Sequence, residues 1–143
     1  MAARAGDMES YPVKQPKKVK PTRRAISFWL AHEGHVLLER RADKGLLGGM
    51  PGLFSTPWIE RADFPGAQQW TAAAPHQCGW QLGSEIAKHT FTHFHLETRL
   101  AVAATPARLN VENGFWIPLA DVADIGLPTA FAKIALLADK ADR

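Results

Sequence analysis

The sequence predicts an α+β fold, an α/β/α sandwich-like arrangement in which helices flank a mixed, mostly antiparallel sheet. The first observation is the order of the apolar segments, which runs strands, glycine-rich loop, helix, strands and final helix. The second is size, because 143 residues with 46% hydrophobic residues suffice for a single hydrophobic core. We therefore expect one folded domain without internal repeats.

Two strands and a packed loop are expected in the first half of the chain. Residues 25–31 and 35–40 are rich in β-forming residues, and Glu33-Gly34 provides the turn of a hairpin. Residues 45–52 contain glycines and Pro51 among apolar residues, which favours a structured loop over a helix. Residues 63–74 predict a modest helix, broken near Pro65-Gly66 and ending at Pro75.

The second half predicts strands followed by the clearest helix. Residues 86–104 alternate as one long strand or as a strand pair, and residues 114–118 predict a further short strand. Leu127, Phe131, Ile134 and Ala138 stand at helical spacing, with Pro128 in the first turn.

Positive charge is concentrated at the N-terminus. Residues 1–24 carry seven Lys or Arg against two Asp or Glu, although the whole chain has a net charge of only +3. We interpret residues 1–22 as a basic Pro/Lys-rich interdomain linker and residues 23–143 as the folded domain. Lys18 and Lys20 in this linker are candidates for attracting DNA phosphates without reading sequence, although a merely solvated linker explains the same composition.

The sequence disfavours a membrane protein and a disulfide-stabilised protein. The sequence has neither a run of about 18 apolar residues nor the apolar block of a secretory signal, so we expect a cytoplasmic protein that does not bind membranes. The single cysteine, Cys78, cannot form an internal disulfide or complete a four-cysteine metal site.

The densest functional pattern is residues 89–96, His-Thr-Phe-Thr-His-Phe-His-Leu. On a continuous strand, His89, Phe91, His93 and His95 would share one face, which would then be neither simply core nor simply solvent-exposed. A turn at Phe91-Thr92-His93 would resolve this conflict by raising a hydroxyl and an imidazole towards a ligand. We take this turn as the candidate site.

Three ordered segments resemble the C-terminal domain of MutY-type A/G-specific adenine DNA glycosylases. They are Leu-Leu-Glu-Arg-Arg at 37–41, Lys-Gly-Leu-Leu-Gly-Gly-Met at 44–50, and the histidine-rich segment 89–96. The linker and Trp-Ile-Pro-Leu at 116–119 are also similar to that family, so the resemblance spans roughly residues 12–138. It implies a nudix-like fold.

The resemblance implies a DNA-repair domain that recognises 8-oxoguanine in 8-oxoguanine:adenine mispairs of double-stranded DNA. The adenine would be excised by the catalytic domain of the same glycosylase, which is not contained in this chain and would carry the iron–sulfur cluster. We expect no catalytic residue, metal or cofactor in this chain. The resemblance fits both a domain excised from a longer glycosylase and a separately encoded protein that recognises the lesion.

Residue by residue, the family's Phe-Ser-His turn matches Phe91, Thr92 and His93. Oxidation at C8 turns N7 of guanine into a donor and adds a carbonyl oxygen, so the Thr92 hydroxyl can bond to either. Further candidates for DNA contacts are Arg40, Gly48 and Gly49. Purely structural roles remain as alternatives for these residues. Thr92 would be an ordinary strand threonine, His93 a half-exposed histidine and Phe91 a core residue. Arg40 would be a solvated surface arginine, and Gly48 and Gly49 would belong to a packed loop.

Three other functions remain as alternatives. Nudix-type hydrolysis of nucleotides would need a glutamate cluster on a helix to hold magnesium, but only Glu60 and Asp63 are acidic between Trp58 and Glu85. His93 and His95 could share zinc, yet no third ligand stands at suitable spacing. A protein-interaction module would keep its partners when Thr92 is lost.

Overall fold

A computed structural model of the protein describes residues 19–41 and 48–141, with the side chains of residues 139–141 excepted. This part of the chain forms one seven-stranded sheet with a helix on each face. Its strands are β1 Thr22–His32, β2 His35–Arg40, β3 Pro51–Gly52, β4 Ile59–Glu60, β5 Gln81–Thr90, β6 His95–Ala104 and β7 Gly114–Pro118. Its helices are α1 Ala67–Ala72, a 3₁₀ helix Leu119–Asp124 and α2 Thr129–Ala141. None of the described helices is long and apolar enough to span a lipid bilayer.

The sheet is mixed because one of its central pairings is parallel. The strand order is β3-β2-β1-β6-β5, with β4 added to β1 and β7 added to β2. Strands β1 and β6 run parallel from Thr22 opposite His95 to Ala31 opposite Ala104, and the other pairings are antiparallel. The β5–β6 hairpin is thereby fixed beside the start of β1.

Hydrophobic residues cover both faces of the sheet because side chains of a strand alternate. On one face Ile26 and Phe28 of β1 pack with Trp70 of α1. On the other face Trp29 belongs to a cluster with Phe131 and with other residues of α2. Between β1 and β6, the buried hydroxyls of Ser27 and Thr98 form a 2.8 Å hydrogen bond.

The predicted fold class is confirmed, and most predicted elements are present. The hairpin of β1 and β2 turns at Glu33 and Gly34, whose φ angles of 43° and 78° suit the twist of a two-residue hairpin loop. Residues 86–104 are a strand pair, but β5 begins earlier, at Gln81. The middle helix is shorter than predicted because it begins only after Gly66, whose amide donates to the Gln69 side chain.

Elements stabilised mainly by tertiary pairing were not predicted. Strands β3 and β4 have two residues each and exist through pairing with β2 and β1. The 3₁₀ helix follows Pro118 with no side-chain cap. The predicted linker lies largely outside the described residues, at 1–18, and remains a prediction.

Gly52 lies against α2, so we expect Gly52→Ala to destabilise the fold. An added Cβ would be 2.9 Å from Cε2 and Cζ of Phe131, whose ring is fully buried and has little room to move. Overpacking of this kind costs about 1–3 kcal/mol in the free energy of unfolding. The measurement is the urea midpoint, with Gly79→Ala as a control because no atom lies within 4 Å of its added Cβ. Equal midpoints for the two variants would show that this close contact is unimportant.

Candidate recognition site at the β5–β6 turn

The predicted turn is present at the tip of the β5–β6 hairpin. Thr90 pairs with His95, and the Phe91 amide donates to the Phe94 carbonyl over 2.8 Å. Thr92 and His93 therefore occupy the two central positions of a tight turn. Both are exposed, whereas Phe94 is buried. The turn predicted at Phe91-Thr92-His93 is thus present, and the Thr92 hydroxyl and the His93 imidazole are exposed at its tip.

Hydrogen bonds anchor the turn to the start of β1. The His95 amide donates to the Pro21 carbonyl over 2.9 Å, and Lys20 Nζ donates to the Phe91 carbonyl over 3.3 Å. Across the hairpin, Thr90 Oγ1 and His95 Nδ1 are 2.8 Å apart. Lys20, a predicted DNA contact, therefore touches the turn itself, which brings its positive charge next to Thr92.

Beneath the turn lies an aromatic cluster formed by Phe91, Phe94, Trp58 and Phe131. The ring centroids of Phe91 and Phe94 are 4.9 Å apart, and that of Trp58 is 5.8 Å from Phe91 and 5.9 Å from Phe131. Phe131 is fully buried and belongs to the core on the α2 face. The aromatic cluster therefore connects the exposed turn to the hydrophobic core.

Two arginines flank the aromatic cluster. The Cζ atom of Arg23 lies 4.0 Å from the ring centroid of Phe94, and that of Arg41 lies 5.1 Å from Trp58 and 5.4 Å from Phe131. Cations over aromatic faces are stabilised electrostatically, more so where water is excluded. Positive charge is thus held against the rings that support the turn.

Lys133 of α2 brings another cation to the hairpin. Its Nζ lies 3.1 Å from Nδ1 of His89 and 3.4 Å from the carbonyl oxygen of Lys88. The His89 ring in turn meets Phe91 edge-on, with centroids 4.7 Å apart. Burial, and then the charge of Lys133, lower the pKa of His89 below its ordinary value of 6.5, because both disfavour the imidazolium.

We expect acid to weaken the contact of His89 with Lys133. The folded protein keeps His89 neutral, whereas the unfolded chain takes up a proton near pH 6.5, so stability falls as pH drops from 6.5 through the lowered folded pKa. Lys133→Gln should move the pKa of His89 towards 6.5 and lessen this loss. NMR titration of the imidazole Cε1 proton measures it. Lys88→Gln is the control, since Lys88 points to the opposite strand face, and an unchanged pKa in Lys133→Gln would contradict the coupling.

The other predicted site residues lie apart from the turn. Arg40 is exposed and its Cζ lies 5.1 Å from the ring centroid of Phe115 on β7, so Arg41, not Arg40, is the arginine at the aromatic cluster. The Gly49 amide donates to the Arg41 carbonyl over 3.2 Å, which engages it within the protein. Gly48 lies in the same turn, at the end of the undescribed segment 42–47, and Lys18 lies outside the described residues.

Sequence reasoning missed four residues of this region: Arg23, Arg41 as the inward arginine, Trp58 and Lys133. Strand alternation predicted only that Arg40 and Arg41 point to opposite faces, and it did not show which of them lies at the aromatic cluster. Arg23 on β1, Trp58 just before β4 and Lys133 on α2 reach the β5–β6 hairpin from separate parts of the chain. No local pattern links them, and only the tertiary arrangement brings them together.

The described residues do not fit a metal-dependent hydrolase centre. Helix α1 has the sequence Ala-Gln-Gln-Trp-Thr-Ala and bears no carboxylate, although hard cations such as magnesium require oxygen ligands. Among residues 19–41 and 48–141, no three His, Cys, Asp or Glu side chains are grouped closely enough to hold a metal ion. What the arrangement offers is a hydroxyl, an imidazole, aromatic rings and cations.

Comparison with known proteins gives the same fold. Residues 26–137 match the NUDIX domain family. The C-terminal domain of mouse MUTYH, solved in complex with human PCNA, is similar with 16% identity and a TM-score of 0.68 over 84% of this chain and 89% of that domain. The MutT protein of Methanosarcina mazei Go1 has 13% identity and a TM-score of 0.68 over 89% and 99% of the two chains. The NUDIX domain of Shewanella oneidensis NrtR, complexed with ADP ribose, has 17% identity and a TM-score of 0.58 over 91% and 94%.

Proposed function

Because this chain belongs to the Nudix domain family, we propose that it is a non-catalytic member that recognises 8-oxoguanine opposite adenine in double-stranded DNA. It would act with an adenine DNA glycosylase domain that flips out and excises the adenine. Recognition itself requires no cofactor, and any iron–sulfur cluster would belong to the catalytic domain. Similarity to the MUTYH C-terminal domain supports the fold on which this proposal rests.

The geometry of the turn carries the proposal. Thr92 is exposed at the tip of a hairpin, where its hydroxyl can approach the edge of a base. The oxidised base presents an N7–H donor and a C8 carbonyl, and a hydroxyl can accept from the first or donate to the second. The aromatic cluster beneath holds Phe91, so the position of the hydroxyl is defined before DNA binds.

The charges around the turn suit a DNA backbone. Lys20 and Lys133 are exposed, and Arg23 and Arg41 flank the aromatic cluster. Cations of this kind bind phosphates irrespective of base sequence, and they orient the protein on the duplex. Specificity would then depend on Thr92, with His93 beside it positioned for a phosphate or a base edge.

Hydrolysis of a free nucleotide is less well supported than recognition. Similarity to MutT favours it at the level of the fold. Helix α1 nevertheless offers no carboxylate, and the nearby Glu60 and Asp63 are two ligands at most. The described residues thus supply binding groups and lack the donor set for metal-assisted attack by water.

Docking of a sliding clamp is a second candidate function. The similar MUTYH domain is in complex with PCNA, and this chain has an apolar cavity of about 450 Å³ between the 3₁₀ helix and α2. Leu136 and Leu119 at this cavity are 63% and 42% exposed. Titration of the chain with purified PCNA tests this role. If Leu136→Lys binds PCNA as tightly as the unchanged chain, the cavity is not where PCNA binds.

The primary experiment is a binding titration with duplexes that carry either 8-oxoguanine or guanine opposite adenine. We expect tighter binding to the oxidised duplex, and affinity for both should fall with salt because the cations displace counterions from the phosphates. Deleting residues 1–18 should weaken binding to both duplexes equally, since it removes positive charge and leaves both Thr92 and Lys20, which contacts the turn. Equal affinity for the two duplexes at every salt concentration would refute recognition by this chain alone.

A further inference from the structure

His89 of β5 lies between α2 and the turn at Phe91-Thr92-His93, but it has no part in the proposed contact with 8-oxoguanine. On one side, Nζ of Lys133 lies 3.1 Å from its Nδ1. On the other side, its ring meets that of Phe91 edge-on, with centroids 4.7 Å apart and ring planes at 71°. Phe91 begins the turn, and Thr92 follows it directly. The imidazole thus connects a cation on the helix to the segment that carries the candidate reading hydroxyl.

The contact with Lys133 determines where the His89 ring carries its proton. An ammonium group donates hydrogen bonds and cannot accept one, so Nδ1 of His89 is the acceptor in this contact. The neutral ring therefore carries its proton on Nε2. The same ammonium donates to the Lys88 carbonyl oxygen over 3.4 Å, which ties it to the backbone of β5. Lys133 on one side and Phe91 on the other thus fix the orientation of the ring in the free protein.

The charged group that faces His89 from α2 is Lys133. Lys88 and Glu97 are charged neighbours on β5 and β6, but strand alternation places both side chains on the opposite face of the sheet. The remaining residues of the small pocket at this ring are uncharged, namely Ala87, Leu96, Thr98, Ala130 and Ile134. A proton on Nδ1 would remove the acceptor for Lys133 and leave two cations 3.1 Å apart. Burial, and then Lys133, lower the pKa of His89, so the ring is neutral at neutral pH.

We propose that His89 is a positioning residue for the turn, and that it holds Phe91, and through Phe91 the Thr92 hydroxyl, only while the imidazole is neutral. The inference rests on the proposed reading of 8-oxoguanine by Thr92 and adds proton-dependent regulation to that site. An edge-on aromatic contact changes an equilibrium constant by about two- to tenfold beyond the area it buries. A ring displaced by the charge of Lys133 loses this contribution, so Phe91 no longer keeps Thr92 aligned with the base.

Protonation of His89 should act differently on discrimination and on affinity. The added positive charge should strengthen binding to any duplex, because phosphates attract cations irrespective of base sequence. Misplacing Thr92 should weaken binding to the oxidised duplex alone, because ordinary guanine offers its hydroxyl neither an N7–H nor a C8 carbonyl. Acid should therefore lower the ratio of the two affinities even where it raises both of them.

Competitive titration of duplexes with 8-oxoguanine or guanine opposite adenine, repeated across pH, tests the proposal in the intact chain. We expect the ratio of affinities to fall about two- to tenfold as pH drops through the midpoint of His89, which NMR of its Cε1 proton gives independently. Lys133→Gln should raise both midpoints together, because it removes the charge that disfavours the imidazolium. A preference that does not change with pH would overturn the proposal. So would a preference whose midpoint stays in place in Lys133→Gln while that of His89 moves.

Two substitutions at His89 separate its packing from its protonation. His89→Phe keeps an aromatic ring against Phe91 and cannot take up a proton, so it should keep the preference for 8-oxoguanine at every pH. His89→Ala removes the ring, and its preference should be as low at neutral pH as that of the unchanged chain in acid. Lys88→Ala is the control, because it shortens a neighbouring side chain on the opposite strand face and should leave the ratio and its pH dependence unchanged. A pH dependence that persists in His89→Phe would arise from His93 or His95 and would refute the role of His89.

NMR of the free chain distinguishes failure of this proposal from failure of lesion reading. The Thr92 amide and methyl resonances, recorded without DNA, should contain a component that titrates with the midpoint of His89 and is absent in His89→Phe. If this component is present but neither duplex is preferred at any pH, His89 positions the turn and Thr92 does not read the lesion. If the oxidised duplex is preferred but the component is absent, Thr92 reads the lesion without His89, and the present proposal is wrong. Thermal unfolding establishes that each variant is folded.

Discussion

Thr92→Ala is expected to abolish the preference for 8-oxoguanine while leaving affinity for the guanine duplex nearly unchanged. The substitution removes one hydroxyl and one methyl group at the tip of the turn and no charge. A partner lost from a buried polar group of the base costs about 1–3 kcal/mol, or about 5- to 150-fold in the dissociation constant. Competitive titration of the two duplexes measures the ratio directly.

Two variants control this result. Thr92→Ser keeps the hydroxyl and removes only a methyl group, so it should retain most of the preference. Thr71→Ala makes the same chemical change on α1, where the hydroxyl donates to the Ala67 carbonyl, and should have no effect on DNA binding. A preference that survives in Thr92→Ala would show that another group reads the lesion.

Phe131→Ala is expected to have the largest effect on stability. The ring is fully buried and packs against Trp58, Gly52 and the Arg41 guanidinium. Removing a buried phenylalanine ring leaves a cavity and usually costs about 3–5 kcal/mol in the free energy of unfolding.

Urea unfolding followed by circular dichroism measures the stability of Phe131→Ala. Leu136→Ala is the matched control on the same helix, because Leu136 is 63% exposed and its loss should change the free energy by less than about 0.5 kcal/mol. If Phe131→Ala proved no less stable than this control, the aromatic cluster would not be part of the cooperative core.

Local patterns were sufficient for the fold class and for the turn. The β-rich apolar runs and the Glu33-Gly34 turn define the first hairpin, and the spacing of Phe131, Ile134 and Ala138 places the last helix against the sheet. The turn at Phe91-Thr92-His93 was predictable because a continuous strand would have placed three histidines and a phenylalanine on one face.

The surroundings of the turn were not predictable from local patterns. Trp58 and Arg41 gain their role through contact with Phe131, which lies far along the chain. Lys133 on α2 reaches His89 only because that helix packs across β5. Such pairs depend on how whole elements pack. A local sequence pattern does not show which strand a helix packs across or which distant residue contacts an aromatic ring.

The parallel pairing of β1 with β6 has a consequence for folding kinetics. The β5–β6 hairpin is local in sequence and can close within about 1–10 μs. Its anchoring is not local, because residues such as Arg24 and Glu97 meet across a separation of 73 positions. Contacts so distant in sequence form late and slow folding. The tip of the hairpin therefore takes shape early, but it acquires Lys20, Arg23 and Trp58 only when the whole sheet is assembled, so a hairpin peptide alone would not reproduce the site.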